Sequence, residues 1–115
     1  MPGEGDELRR RLRAAVRDAV QRIGEDLLGE AQRRAPVEEG TLRASGELEL
    51  EDGPNRVTAV VSFNTVYAAR QHEELDWDHP LGGQAKYLES VVHERAARYE
   101  RILAAVVKRE LEGHA

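Results

Sequence analysis

The stretch that decides the fold is "GTLRASGELELEDGPNRVTAVVSF", which runs from Gly40 to Phe63. In its first half, Leu48 and Leu50 alternate with glutamates, the period-two pattern of a strand that keeps one face in water. The segment "DGPN" in the middle is a strong turn signal. The second half is rich in β-branched residues and places an apolar residue at every other position: Val57, Ala59, Val61 and Phe63. The sequence therefore predicts an antiparallel β-hairpin.

A long amphipathic helix is predicted on each side of this hairpin. Apolar residues recur with the helical period from Asp6 to about Arg34, and Pro36 ends the pattern. A second such pattern runs from about Gln84 to Leu111. A helix of about 28 residues is roughly 42 Å long, whereas a compact domain of this chain length is only about 35 Å across. We therefore expect both helices to overhang the subunit and their apolar ends to be covered by neighbouring copies.

The segment between the hairpin and the last helix is predicted to form a short helix and a loop. Asn64 or Thr65 can cap a helix that continues to Gln71, and a loop would follow from about Leu75 to Gly83. The expected fold class is α+β, in a single domain over residues 1–115. Its elements are a long N-terminal helix, an antiparallel β-hairpin or small sheet, a short helix with its loop, and a long C-terminal helix.

The composition argues against several classes of protein. The chain has 115 residues, a net charge of −5 and no cysteine, so neither a disulfide framework nor a thiolate zinc site is available. No apolar run approaches the roughly 20 residues that cross a bilayer, and we expect no membrane partner and a chain that folds in a cytoplasm. The acidic balance argues against a protein that grips nucleic-acid phosphates. Acidic residues interleave with the arginines of the first helix, which indicates a solvated helix face.

The region "HEELDWDHP", His72 to Pro80, is dense in metal-binding residue types. It begins like the zinc motif His-Glu-x-x-His, but Asp76 stands where the second histidine would be. His79 lies seven positions after His72 and precedes a proline, so one helix face does not readily present both. A metal-dependent hydrolase that uses His72, Glu73, Asp76 and His79 remains an alternative. Since the chain also lacks a nucleophile elbow and a phosphate-binding loop, we predict no enzyme, no cofactor and no metal site.

Trp77 and Arg95 are two further residues that stand out. Trp77 is a large ring among charges, and it either packs across the base of a loop or anchors an interface. Arg95 falls inside the apolar stripe of the last helix. Its guanidinium either reaches water along the stripe or pairs with Asp26 or Glu30 of the first helix. Such a pair would form within one subunit or across an interface.

Three blocks follow one another along the chain: "APVEEGTLRAS" (35–45), "NTVYAARQHE" (64–73) and "HPLGGQAKYLE" (79–89). In order and spacing they resemble the tail-component or minor capsid family of tailed bacteriophages, the small neck proteins of long-tailed phages. The chain departs from the family pattern at Glu38 and Glu39, where Asp-Thr is usual, and at Gly46, where an apolar residue often follows the serine. These departures bear on a local turn and on the start of the first strand.

The resemblance implies a structural virion protein of the neck and tail, assembled in the cytoplasm of the host bacterium. The subunit would form a homo-oligomeric ring at the head–tail junction, of roughly six or twelve copies. The ring would contact a head-completion or connector protein on one side and a tail terminator or tail tube protein on the other. DNA would pass through the lumen without specific binding. Two alternatives stay open, namely the tail terminator ring itself and a cytoplasmic oligomeric adaptor unrelated to phages.

The matching blocks also imply roles for individual residues. Four residues of the first block would set a turn and start the strand: Pro36, Gly40, Leu42 and Arg43. The later blocks, with the tryptophan between them, would supply a docking or packing region: Tyr67, His72, Trp77, His79, Tyr87 and Leu88. Arg95, which lies outside the three blocks, is also predicted to be an interface or docking residue. None of these residues is expected to be catalytic.

Overall fold

The structure is a computed structural model that describes residues 3–34, 46–63, 66–71, 77–78 and 86–114. Along the chain, four strands lie between two long helices: α1 (Glu4–Arg34), β1 (Gly46–Asp52), β2 (Val57–Phe63), β3 (Val66–Gln71), β4 (Trp77–Asp78) and α2 (Lys86–His114). The strands form one antiparallel sheet in the order β1-β2-β3-β4. The α+β fold class, both long helices and the small antiparallel sheet are confirmed.

Strands β1 and β2 form the hairpin that the alternating pattern predicts. They pair from Gly46 opposite Phe63 to Asp52 opposite Val57. The turn closes with a hydrogen bond from the Gly53 amide to the Arg56 carbonyl (2.8 Å). Along β1 the leucines are half-buried and the glutamates are exposed. The inner face of the hairpin therefore packs in the core, while the outer face of β1 meets water.

Strand β3 contradicts the predicted short helix. It pairs with β2 in antiparallel register, from Val66 opposite Phe63 to Gln71 opposite Thr58. A helix this short leaves most of its backbone groups without intrahelical partners, whereas the edge of β2 offers a ladder of hydrogen bonds. Val66 and Tyr67 also favour strands, because β-branched and aromatic side chains suit a pleated surface. The helix prediction is wrong at residues 66–71, since pairing with β2 outweighs the local capping signal.

A second correction concerns the loop predicted from about Leu75 to Gly83. Strand β4, only two residues long, lies inside that range and pairs with Ala69 and Arg70 of β3. The loop prediction is wrong at these two positions, because β3 supplies an edge that the predicted helix would not have offered. The other residues of the predicted loop lie outside the described residues.

The two helices pack side by side in antiparallel orientation. The end of α1 lies beside the start of α2, where Arg34 contacts Glu94, and the start of α1 lies beside the end of α2, where Arg11 contacts Glu110. The core that they share with the sheet has two parts. One part lies near the start of α2: Leu27, Ala31, Val61, Phe63, Leu88, Val91 and Val92. The other lies further along the pair: Val16, Ala19, Val20, Ile23, Val57, Ala59, Tyr99 and Leu103.

Helix α1 and the hairpin approach each other closely at Gly24. A Cβ atom at this position would lie 2.6 Å from Leu48 Cδ1 and 3.3 Å from Ala59 Cβ. Both distances are shorter than ordinary contacts between carbon atoms. The glycine costs helix propensity, and in exchange it lets the sheet lie directly against the helix.

The molecule is long and narrow because its helices are much longer than its strands. Helix α1 has 31 residues and rises about 46 Å, whereas β1 has seven residues and spans about 23 Å. The molecule measures 57 × 23 × 20 Å and has a radius of gyration of 15.8 Å, compared with about 13 Å for a compact domain of this length. Helix α1 is longer than the roughly 35 Å diameter of a compact domain of this chain length, as predicted, and the covering of the helix ends by neighbouring copies stays a prediction. None of the described helices is long and apolar enough to span a membrane.

Candidate functional site

Arg95 of α2 lies in a polar cluster between the two helices. Its Nη1 donates to both carboxylate oxygens of Asp26, at 2.9 and 2.7 Å. Its Nη2 lies 3.4 Å from the Glu30 carboxylate. The hydroxyl of Tyr99 donates to Asp26 Oδ2 at 2.5 Å. Of the two alternatives for Arg95, the structure shows the ion pair, with Asp26 as the closer partner and within one subunit. A role of Arg95 at an interface stays a prediction.

The cluster continues toward the end of α1 through Arg34. Arg34 donates to Glu30 on its own helix (3.2 Å) and to Ser90 (3.0 Å) and Glu94 (2.5 Å) on α2. Arg33 adds a second cation on Glu30 at 2.7 Å. The Arg34 contacts were not predicted, although the spacing of Glu30 and Arg34, four residues apart on a helix, could have indicated part of them. Together these contacts tie the end of α1 to the start of α2.

The pKa values of Asp26 and Tyr99 in this cluster are both shifted away from neutral pH. Burial alone would raise the pKa of Asp26, but the hydrogen bonds from Tyr99 and Arg95 outweigh it and hold the pKa below its ordinary value of 3.8. Burial raises the pKa of Tyr99, and the hydrogen bond to Asp26 raises it further. Asp26 thus stays ionised and Tyr99 stays protonated at neutral pH. General acid–base catalysis needs groups that titrate near the working pH, and neither of these does.

Two arginines of α1 hold the turn of the hairpin. Arg13 donates to the Gly53 carbonyl (2.5 Å) and the Pro54 carbonyl (3.3 Å). Arg17 donates to the Asp52 carboxylate at 3.1 Å. The sequence interpretation of these arginines as members of a solvated face is therefore incomplete, because these two also position the hairpin along the helix.

Four of the predicted docking residues lie among the described residues, on α2 or in the sheet. Leu88 is buried in the core. Tyr87 is half-buried and its ring stands edge-on to Phe63, with 5.5 Å between ring centroids. Tyr67 lies on β3, and Trp77 lies on β4 opposite Arg70. Tyr87 and Leu88 contribute packing, and a docking role for this set stays a prediction.

The remaining predicted site residues lie outside the described residues: Pro36, Gly40, Leu42, Arg43, His72 and His79. The same holds for Glu73 and Asp76 of the alternative metal site. Within the described ranges, the histidines and carboxylates do not form a group of three or more that could hold a metal ion.

A groove runs between the helices on the side away from the sheet. Ala15 in its wall lies nine positions before Gly24, half a turn around α1 from the residue that touches the sheet. The groove has a volume of about 470 Å³. Eleven residues line it: Ala15, Asp18, Ala19, Arg22, Ile23, Asp26, Arg98, Tyr99, Ile102, Val106 and Arg109. Ile102 is 39% exposed there.

The described residues make up an α+β protein whose polar contacts hold the two helices and the hairpin together. Residues 5–89 match a family whose description reads "Bacteriophage HK97-gp10, putative tail-component". The match spans well over half of the chain, so the chain belongs to this family of bacteriophage tail components, and the resemblance read from the three sequence blocks is confirmed. The family is one of structural tail proteins, which implies a location in the virion. No curated protein and no solved structure is significantly similar to the chain.

Proposed function

We propose that the protein is the subunit of a ring at the head–tail junction of a long-tailed bacteriophage. The observation that carries this proposal is the match of residues 5–89 to the tail-component family. The ring would join a head-completion or connector protein to the tail terminator or the tail tube. Its work is mechanical, because each subunit holds two neighbours in the ring and one partner at each rim.

The shape of the subunit supports self-association. Helices longer than the sheet that they cover leave helix surface beyond the intramolecular core. Ile102 and Leu111 of α2 are exposed apolar residues, at 39% and 48%. Burial of apolar surface is the main favourable term in most protein association, and these side chains are available for it. We propose a ring of roughly six or twelve copies, the closed arrangement that repeated head-to-tail contacts produce.

The charge of the subunit suits a channel for DNA. The chain carries a net charge of −5, and an acidic lumen would repel phosphates and let DNA pass without specific binding. A strongly basic lumen would retain the DNA instead. The rim partners would dock on the region around Tyr67, His72, Trp77 and His79, with Trp77 as an anchor.

Inactivation of the gene in the phage tests the proposed role. A junction ring is needed after heads and tails are complete, so we expect DNA-filled heads and separate tails of normal length in electron micrographs. The alternative role, tail terminator, predicts tails of uncontrolled length, because nothing would stop polymerisation of the tube. Normal joined particles would contradict both roles. Complementation with the intact gene is the control.

A further inference from the structure

The outer face of β1 carries a row of three exposed carboxylates, here called the glutamate row: Glu47, Glu49 and Glu51. Alternate residues of a strand point to one side and lie about 6.6 Å apart, so the row is about 13 Å long. None of the three has an ion-pair partner among the described residues. Neighbouring like charges on one strand face are unfavourable, and a cationic surface placed opposite would relieve them.

The groove between the helices has the complementary chemistry. Its rim carries three arginines, here called the arginine rim: Arg22, Arg98 and Arg109. Two aspartates also line the groove: Asp18 pairs with Arg22 at 3.0 Å, and Asp26 pairs with Arg95 and feels the charge of Arg98. Neither Arg98 nor Arg109 makes an ion pair within 4 Å among the described residues. These two stand eleven positions apart on α2, about 16 Å along the helix, which is close to the length of the glutamate row. Exposed Ile102 lies between them in sequence and offers an apolar contact.

The glutamate row and the arginine rim lie on opposite sides of the subunit. Leu48 of β1 points toward α1, where it meets Gly24, so the glutamates that alternate with it point away from the helices. The groove lies on the side of the helices away from the sheet. Contact between two different patches on opposite sides repeats from copy to copy, and it closes a ring when the rotation per subunit allows it.

We infer that the glutamate row of one subunit docks on the arginine rim of the next copy of the same chain. This inference rests on the proposed ring and assigns its subunit–subunit contact. The carboxylates of β1 lie against Arg98 and Arg109. Val60 is half-buried and stands opposite Glu49 in the hairpin register. In the docked arrangement, Val60 faces Ile102 of the neighbouring copy. The interface then combines charge complementarity with apolar burial at its centre.

Charge reversal on one patch at a time tests the contact. The strand variant is Glu47→Arg/Glu49→Arg, and the helix variant is Arg98→Glu/Arg109→Glu. Each places like charges opposite each other, which strongly disfavours the interface, so self-association should weaken at least about a hundredfold. Sedimentation velocity over a concentration series measures this, and thermal unfolding by circular dichroism checks that both variants fold.

An equal mixture of the two variants gives the decisive result. The strand variant is basic on both patches and the helix variant is acidic on both, so neither should assemble alone. In the mixture, the basic strand of one variant can dock on the acidic groove of the other, and the acidic strand of the second on the basic groove of the first. Alternating copies should therefore assemble with an affinity within about tenfold of the wild type. This restoration also shows that each variant is correctly folded.

The matched control is Arg101→Glu/Lys108→Glu on the same helix. Both residues are exposed and lie outside the groove, and the change in net charge equals that of the helix variant. We expect its association constant to stay within about threefold of the wild type.

Three outcomes would overturn the docking inference: a wild type that stays monomeric, reversal variants that associate as the wild type does, or a mixture that does not assemble. Gold-labelled antibody on phage particles tests the ring role separately. If the label lies at the head–tail junction but the reversal variants associate as the wild type does, the inferred contact is wrong and the proposed ring still stands. Label elsewhere on the particle would remove the proposed function itself.

Discussion

The two sides of the helix pair meet different surroundings. Toward the sheet, Val20 and Leu27 are buried, and Gly24 admits Leu48. On the opposite side, Ile102 is 39% exposed within a rim of charges. The sheet therefore covers one side of the helix pair and leaves the groove side open. In the proposed ring, the open side is the one that would meet a neighbouring copy, since exposed apolar side chains within a polar rim are typical of interaction surfaces.

The largest expected effect comes from truncating the covered side. Phe63 is fully buried and its ring contacts Tyr87, so Phe63→Ala should lower the free energy of unfolding by about 3–5 kcal/mol. The counterpart on the open side, Ile102→Ala, should change it by less than about 1 kcal/mol. Urea denaturation at low chain concentration measures both. Equal losses would remove the distinction between the two sides.

The polar cluster at the edge of the covered side should have the next largest effect. Asp26→Ala leaves the buried Tyr99 hydroxyl and Arg95 without their shared acceptor, which should cost about 1–3 kcal/mol. Asp18→Ala is the matched control, because within the described residues Asp18 forms an exposed pair with Arg22 and no other. This substitution should cost at most about 0.5 kcal/mol. The same denaturation assay compares them. A cost for Asp18→Ala as large as that for Asp26→Ala would show that burial does not set the strength of these contacts.

The same cluster should make stability depend on pH. A hydrogen bond from Arg34 holds the pKa of Glu94 below its ordinary 4.5, and bonds from Arg33 and Arg34 do the same for Glu30. The unfolded chain therefore takes up protons at a higher pH than the folded one, so stability is complete above about pH 5 and falls as the pH drops through 4. Arg34→Met should flatten this dependence. Identical pH profiles of unfolding for wild type and variant would contradict the assignment.

The smallest expected effect distinguishes two glycines of the same helix. A Cβ at Gly29 would meet only Arg33 Nη1 at 3.7 Å, so Gly29→Ala should raise stability by up to about 1 kcal/mol through helix propensity. Gly24→Ala should give no such gain, because its Cβ would lie 2.6 Å from Leu48 Cδ1. Thermal unfolding of the two variants shows the difference. An equal gain at both positions would mean that helix and hairpin are not in close contact.

Much of the fold could be predicted from local pattern. The alternation of Leu48 and Leu50 with glutamates and the helical spacing of apolar residues each indicate one element without knowledge of the rest. The position of Arg95 inside an apolar stripe narrows its side chain to two outcomes, contact with water or an ion pair with Asp26 or Glu30, and the packing of the helices decides for the pair with Asp26.

Other features depend on how the elements meet, and local pattern does not determine that. Residues 66–71 carry a capping signal and β-branched character together, and the edge of β2 decides in favour of the strand. The contacts of Arg34 with α2 and of Arg13 with the turn depend on the crossing of the helices and on the position of the hairpin. The groove rim formed by Arg22 and Arg98 likewise exists only once the two helices lie side by side.

Native mass spectrometry of the wild-type protein tests most directly whether the open side of the helix pair is a surface for assembly. The account predicts one dominant oligomer, whose mass is that of several 12.9 kDa chains. This oligomer should dissociate as the salt concentration rises, because exposed charges are screened. A 12.9 kDa monomer alone, at every chain concentration up to about 100 μM, would contradict it.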